Sequence, residues 1–147
     1  MLGGVMKPII RLAKSTDIDE LLKLETEANS EIKWWQKQTR EEFLESISNS
    51  EYNVMVAEQQ EKIIGYVQGE VVIRNYGRFE NMFLENIYVS KKYRKQGVGK
   101  ELVKNFTEYW CKKRKYVALI TTKENMRIFE KLGFKWTMSY MEIRLLD

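Results

Sequence analysis

The chain has 147 residues, 44% apolar and 31% charged, enough for one domain with a buried core. Its 25 basic and 21 acidic residues leave a net charge of +4, interspersed rather than blocked, which by itself points to no nucleic-acid or membrane partner. Histidine is absent and Cys111 is the lone cysteine, so an intrachain disulfide and the commonest general base are excluded, and a transition metal lacks its usual ligands.

Residues 1–6 (MLGGVM) have neither a basic start nor a long apolar run, and read as a disordered leader rather than a signal peptide. Ile9 to Ala13 suits a first strand. Ser15, Thr16 and Asp17, with Glu20 three residues after Asp17, suit a capping box, and Ile18, Leu21, Leu22 and Ala28 follow at helical spacing. Thr39 with Glu42 repeats the box before a second short helix carrying Phe43, Leu44 and Ile47. Between these helices the polar segment EIKWWQKQ holds Trp34 and Trp35.

The period then changes. Residues 53–58 alternate, 59–62 are polar and 63–72 are β-rich, which predicts a hairpin. Residues 74–81 carry turn chemistry, and FLENIYV (83–89) predicts another strand. Val98, Leu102, Phe106 and Trp110 recur every four residues, giving an amphipathic helix to about residue 113. Val117 to Thr121 reads as a short strand. Glu124 to Leu132 reads as a short helix closed by Gly133, and 134–145 as one bent strand or two short ones. The order β-α-α-β-β-β-α-β-α-β predicts a single α/β domain, 1–147, with about four helices laid on a sheet. No run approaches the ~20 apolar residues of a membrane span, so the expected compartment is the reducing cytoplasm.

The segment YRKQGVGKEL (93–102) sits between a strand and a helix, where unpaired N–H groups and the positive end of the helix dipole suit an anion. Gly97 and Gly99 allow close backbone approach and a nest of N–H groups, and Arg94, Lys95 and Lys100 add charge. It is not a P-loop, because Arg94 and Glu101 stand where glycine and Ser/Thr are needed. Nor is it a dinucleotide fingerprint, because the third glycine position is Leu102.

The run Arg94-Lys-Gln-Gly97-Val-Gly99 does resemble the R/Q-x-x-G-x-G/A signature of the GCN5-related N-acetyltransferase (GNAT) superfamily. ENIYVSKKYRKQGVGKELV is similar to that family's strand–loop–helix segment, IFEKLGF (128–134) to its second segment, and IIRLAKSTDIDELLKLE to its first strand and helix. The resemblance implies a mixed, mostly antiparallel sheet whose parallel fourth and fifth strands splay apart around acetyl-CoA. It implies that Arg94, Lys95, Gln96, Gly97, Val98, Gly99 and Lys100 hold the pyrophosphate, and that Ile87, Tyr88 and Val89 pair with the pantetheine arm. A backbone N–H near Ile87 would stabilise the oxyanion. Asn125 and Phe129 would also contact the cofactor.

The same resemblance implies direct attack by a primary amine, from a small molecule or a peptide. Making a lysine-like amine neutral at pH 7 costs about 4–5 kcal/mol. Glu85 is the candidate base, and alternation in the strand puts it on the face of Ile87 and Val89. The family's usual tyrosine acid is replaced by Phe129, which leaves Tyr88, Tyr93 and Tyr140 as other hydroxyls. The expected acceptor pocket contains Glu27, Glu31, Trp34, Trp35, Tyr76, Glu80 and Tyr140, a mixture of aromatics and carboxylates suited to a cation. Trp34 and Trp35 equally suit packing against a neighbouring element or a second subunit, as in a homodimer. A non-catalytic acyl-CoA-binding module is the alternative. Nucleic acid is not expected, since the lysines and arginines of 91–95 and 112–115 lack interleaved aromatics.

Overall fold

The computed structural model describes residues 7–74, 79–113, 116–137, 141 and 143. Its elements are β1 (Ile9–Leu12), α1 (Ile18–Glu31), α2 (Arg40–Ser48), β2 (Tyr52–Gln59), β3 (Lys62–Arg74), β4 (Phe79–Val89), α3 (Val98–Cys111), β5 (Tyr116–Leu119) and α4 (Met126–Lys131), with short 3-10 turns at Ser15–Asp17 and Lys91–Tyr93. This is the expected order up to α4. The leader at 1–6 lies outside the described residues, as does half of the expected final strand 134–145, of which 134–137, 141 and 143 are irregular.

The five strands lie in chain order in one sheet, β1 to β4 antiparallel and β5 parallel to β4. Apolar spacing decides which helix covers which face. Ile18, Leu21, Leu24 and Ala28 of α1 and Phe43 of α2 pack with Val54, Val56, Tyr66 and Tyr88 on one side. Leu102, Val103, Phe106 and Trp110 of α3 pack with Met55, Val67, Met82 and Leu84 on the other, joined by Phe129 of α4 and by Leu132 just after it. Helix α3 lies so close that a Cβ on Gly69 would stand 2.4 Å from the Phe83 carbonyl oxygen and 2.7 Å from the Phe106 ring.

Neither expected capping box closes fully, and only α2 keeps its N-cap bond. The Thr39 hydroxyl accepts the Glu42 N–H at 3.2 Å and caps α2. Asp17 makes no cap on α1. Its carboxylate instead takes the Lys14 N–H at 2.7 Å and two Arg11 hydrogen bonds, and the Arg11 guanidinium holds it below the usual carboxylate range. Glu20 accepts the Ile63 N–H at 3.2 Å, so both residues of the expected box tie helix to sheet. Among the described residues no helix is long and apolar enough to cross a membrane.

Candidate active site

The loop between β4 and α3 has the backbone of an anion cradle. Lys95 (φ 62°) and Gly97 (φ 83°) are left-handed, a conformation that costs side-chain-bearing residues about 1–2 kcal/mol. The first helical bond runs from the Glu101 N–H to the Gly97 carbonyl. The N–H groups of Val98, Gly99 and Lys100 therefore precede any helical acceptor, and no side chain caps them. The Val98 side chain is buried in the core, while Lys95, Gln96 and Lys100 are exposed.

Arg94 departs from its expected place. Its guanidinium does not turn into the cradle: Nη1 and Nη2 donate to the Glu31 carboxylate, the latter at 2.8 Å, and Nε donates to the Val89 carbonyl at 3.0 Å. It lies 5.3 Å from the Tyr88 ring centroid. Glu31, expected in the acceptor pocket, is thus already engaged, and it also accepts the Tyr88 hydroxyl at 2.9 Å. Tyr88 is held away from the acid role on the same grounds, since burial and then this bond to Glu31 push its hydroxyl pKa upward. Glu27 is likewise engaged, accepting the Ser90 hydroxyl and the Lys91 N–H.

Beside the loop the sheet opens. Pairing of β4 with β5 runs from Asn81↔Tyr116 to Leu84↔Leu119, and there β5 ends while β4 continues to Val89. Among the described residues, 86–89, including Ile87, Tyr88 and Val89, are paired with β3 on one edge only. The opening begins at a β-bulge. Gln68 pairs with Asn86 and Gly69 with Leu84, so Glu85 is the extra residue.

That bulge corrects the expectation from alternation. Leu84, Ile87 and Val89 all face the α3 side, whereas Glu85 and Asn86 line a cavity of about 450 Å³ on the α1–α2 side. The extra residue shifts side-chain parity by one, and Glu85 therefore points away from Ile87 and Val89. Its side chain reaches solvent, yet the cavity wall strips part of its hydration and pushes its pKa up to about 7. A hydrogen bond with Glu70 and repulsion from that carboxylate push in the same direction.

The cavity wall is built from α1 outward. Glu25, fully buried, accepts the Trp35 Nε1–H at 3.0 Å, the Gln38 backbone N–H at 2.8 Å and the Tyr66 hydroxyl. Gln38 donates to Gln68 at 2.6 Å, and Gln68 to Ser46 at 3.0 Å. The tryptophan pair divides: Trp35 is a core residue, 7% exposed, and Trp34, 76% exposed, flanks the cavity mouth with Glu42.

Together, a nest at a helix start, a parallel strand pair that parts at a bulge and a cavity at that bulge match a family pattern. A family model described as "Acetyltransferase (GNAT) domain" matches residues 50–136. The chain belongs to the GNAT acetyltransferases. Among curated protein sequences none matches at a significant level. Solved structures agree on the fold. A transcriptional regulator from Bacillus halodurans C-125 superposes with a TM-score of 0.77 at 21% identity, covering 94% of this chain and 99% of that one. AAC(6')-Iy, in complex with the bisubstrate analogue CoA-S-monomethyl-acetylneamine, gives 0.76 at 19%, covering 97% and 100%. An aminoglycoside acetyltransferase from an uncultured soil metagenomic sample, in complex with sisomicin, gives 0.74 at 18%, covering 95% and 97%.

The remaining expected residues of this GNAT domain fall in three groups. Asn125 is exposed at the N-cap position of α4, and Phe129 packs edge-on to Phe134 with centroids 5.9 Å apart. Tyr93 is partly buried against the α3 cluster. Tyr76 and Tyr140 lie outside the described residues, and Glu80 is described only as a backbone partner of Ile73 in the sheet. Sequence reasoning missed Gln38, Gln68, Glu42 and Asn86 on the cavity wall, Glu70 beside Glu85, and the buried Glu25. Only Glu25 left a signal, as an acid at the buried spacing of Leu21 and Ala28.

Proposed function

We propose that this GNAT domain transfers an acetyl group from acetyl-CoA to a primary amine by direct attack, without a covalent enzyme intermediate. The observation that carries this reading is the placement of Glu85. It is the bulged residue where β4 and β5 part, and it faces the cavity with a carboxyl raised to about 7. A carboxylate with that pKa is half ionised near neutrality and suits removal of an ammonium proton.

The fit to acetyl-CoA rests on the chain's own unfilled groups. The uncapped N–H groups of Val98, Gly99 and Lys100 suit a diphosphate, with Lys95 and Lys100 adding exposed charge. A Cβ on Gly99 would meet nothing closer than Val89 at 3.8 Å. The protein's own packing therefore does not demand glycine there, and its bareness suits a ligand close to the backbone. The one-sided edge at Ile87, Tyr88 and Val89 suits an extended arm that pairs with strand backbone. Acetyl-CoA supplies the activated acetyl thioester. Trp34, Glu42 and Glu85 suit a cationic acceptor through ring-face and carboxylate contact. Asn125 and Phe129 are assigned to the cofactor side.

A second reading, an acyl-CoA-binding module without catalysis, is favoured by Phe129, which offers no proton to a departing thiolate. One experiment separates them: a panel of amines is incubated with the chain and acetyl-CoA, and free thiol is followed. Thiol release with at least one amine is expected. Binding without release from any amine supports the second reading. No thermal shift with CoA or acetyl-CoA overturns both.

A further inference from the structure

All four glutamates of α1 bond to other segments, and two of them, Glu27 and Glu31, reach the loop that leads into α3. Glu27 holds the start of that loop, accepting the Ser90 hydroxyl at 3.0 Å and the Lys91 backbone N–H at 2.9 Å. Glu31 holds its middle through both terminal nitrogens of Arg94 and through the Tyr88 hydroxyl. Arg94 in turn donates from Nε to the Val89 carbonyl, so all three nitrogens of its guanidinium are engaged. Next in sequence come left-handed Lys95 and the Gly97 N-cap.

We propose that Glu31, seconded by Glu27, is a positioning residue for the anion loop: it acts on the phosphates of CoA through Arg94 and against its own charge. The inference rests on the proposed use of acetyl-CoA. A planar guanidinium that donates both terminal nitrogens to one carboxylate and lies over the Tyr88 ring fixes orientation as well as distance, which a lysine cannot reproduce. Arg94 spends its positive charge on Glu31, whose carboxyl is held below its ordinary range mainly by that hydrogen bond. What Arg94 contributes to an anion is thus the shape of the 94–97 backbone rather than a free cation. The N–H groups of Val98 to Lys100 then converge because α1, some 63 residues earlier in the chain, holds the preceding turn.

This assignment has an unusual sign. By charge alone, removing a carboxylate beside an anion site strengthens anion binding. Positioning predicts the reverse. Calorimetric titration of CoA into the full chain and into Glu31→Gln is expected to show Kd raised about fivefold in the variant, the scale of a lost charge-assisted pair. Affinity for pantetheine, which lacks the diphosphate, is expected to stay the same, which a general loss of structure would not allow. Arg94→Lys, with its charge kept and its fork lost, is expected to weaken CoA to a similar degree. Unchanged or tighter CoA binding by Glu31→Gln, or full affinity in Arg94→Lys, overturns the inference while leaving the acetyltransferase reading intact. Equal losses for CoA and pantetheine overturn it too. Absence of CoA binding by the unaltered chain overturns the proposed function and this inference together.

Discussion

Glu85 is the base of the proposed reaction, and its environment gives it a distinctive pH signature. Its folded pKa of about 7 lies above the ordinary 4.5, so the fold favours the protonated form. The stabilising contribution of that proton is complete below 4.5 and is lost as pH rises to about 7. Activity runs the other way, since the base must be ionised. The profile of kcat/KM is expected to rise through an apparent pKa of about 7, and Glu85→Gln to lose that limb with a rate drop of about 10²-fold or more. The same variant is expected to melt higher than the unaltered chain at pH 8 and to lose that advantage at pH 4. A retained limb near 7 in Glu85→Gln assigns the titration to another group. A single amino-acid string identifies Glu85 as an acid among apolar neighbours. It does not say which way the side chain points, because one extra residue in a ladder exchanges the two faces.

At the scale of elements, local chemistry carried far. The four-residue spacing of Val98, Leu102, Phe106 and Trp110 is a property of one segment, and it forms α3 as predicted. Thr39 caps α2 because its partner, the Glu42 N–H, lies three residues away and within the same turn. Asp17 fails to cap α1 because a stronger distant partner, Arg11, competes for the same carboxylate. Packing between elements imposes a stricter demand that spacing does not display. Gly69 is needed where α3 crosses the β3–β4 ladder, with backbone on one side and a phenyl ring on the other. Gly69→Ala is expected to cost about 1–3 kcal/mol, because the Phe83 carbonyl cannot retreat without breaking strand pairing. Urea denaturation with an unchanged slope would measure it, and a variant as stable as the parent would show that the helix shifts freely.

Across the whole molecule, α1 is the common anchor of the cavity beside Glu85 and of the loop that leads into α3. Glu25 alone satisfies donors from Trp35, Gln38 and Tyr66, three groups that otherwise face the core. Glu25→Ala leaves these donors unpaired and is expected to cost about 2–4 kcal/mol, with a red-shifted tryptophan emission as Trp35 reaches water. Emission and melting unchanged from the parent would show that the network is dispensable. The sequence by itself determined the order of elements, the placement of glycines at the start of α3 and the family, because caps, turn residues and apolar periods act over a few residues. Only the tertiary structure decided that Glu85 faces the cavity, that Trp35 is core while Trp34 is mouth, and that the Arg94 side chain bonds to Glu31 rather than turning into the anion loop. Each of those outcomes is a choice among partners apart in the chain, and it is settled by strand register and by which groups the fold brings within hydrogen-bonding distance.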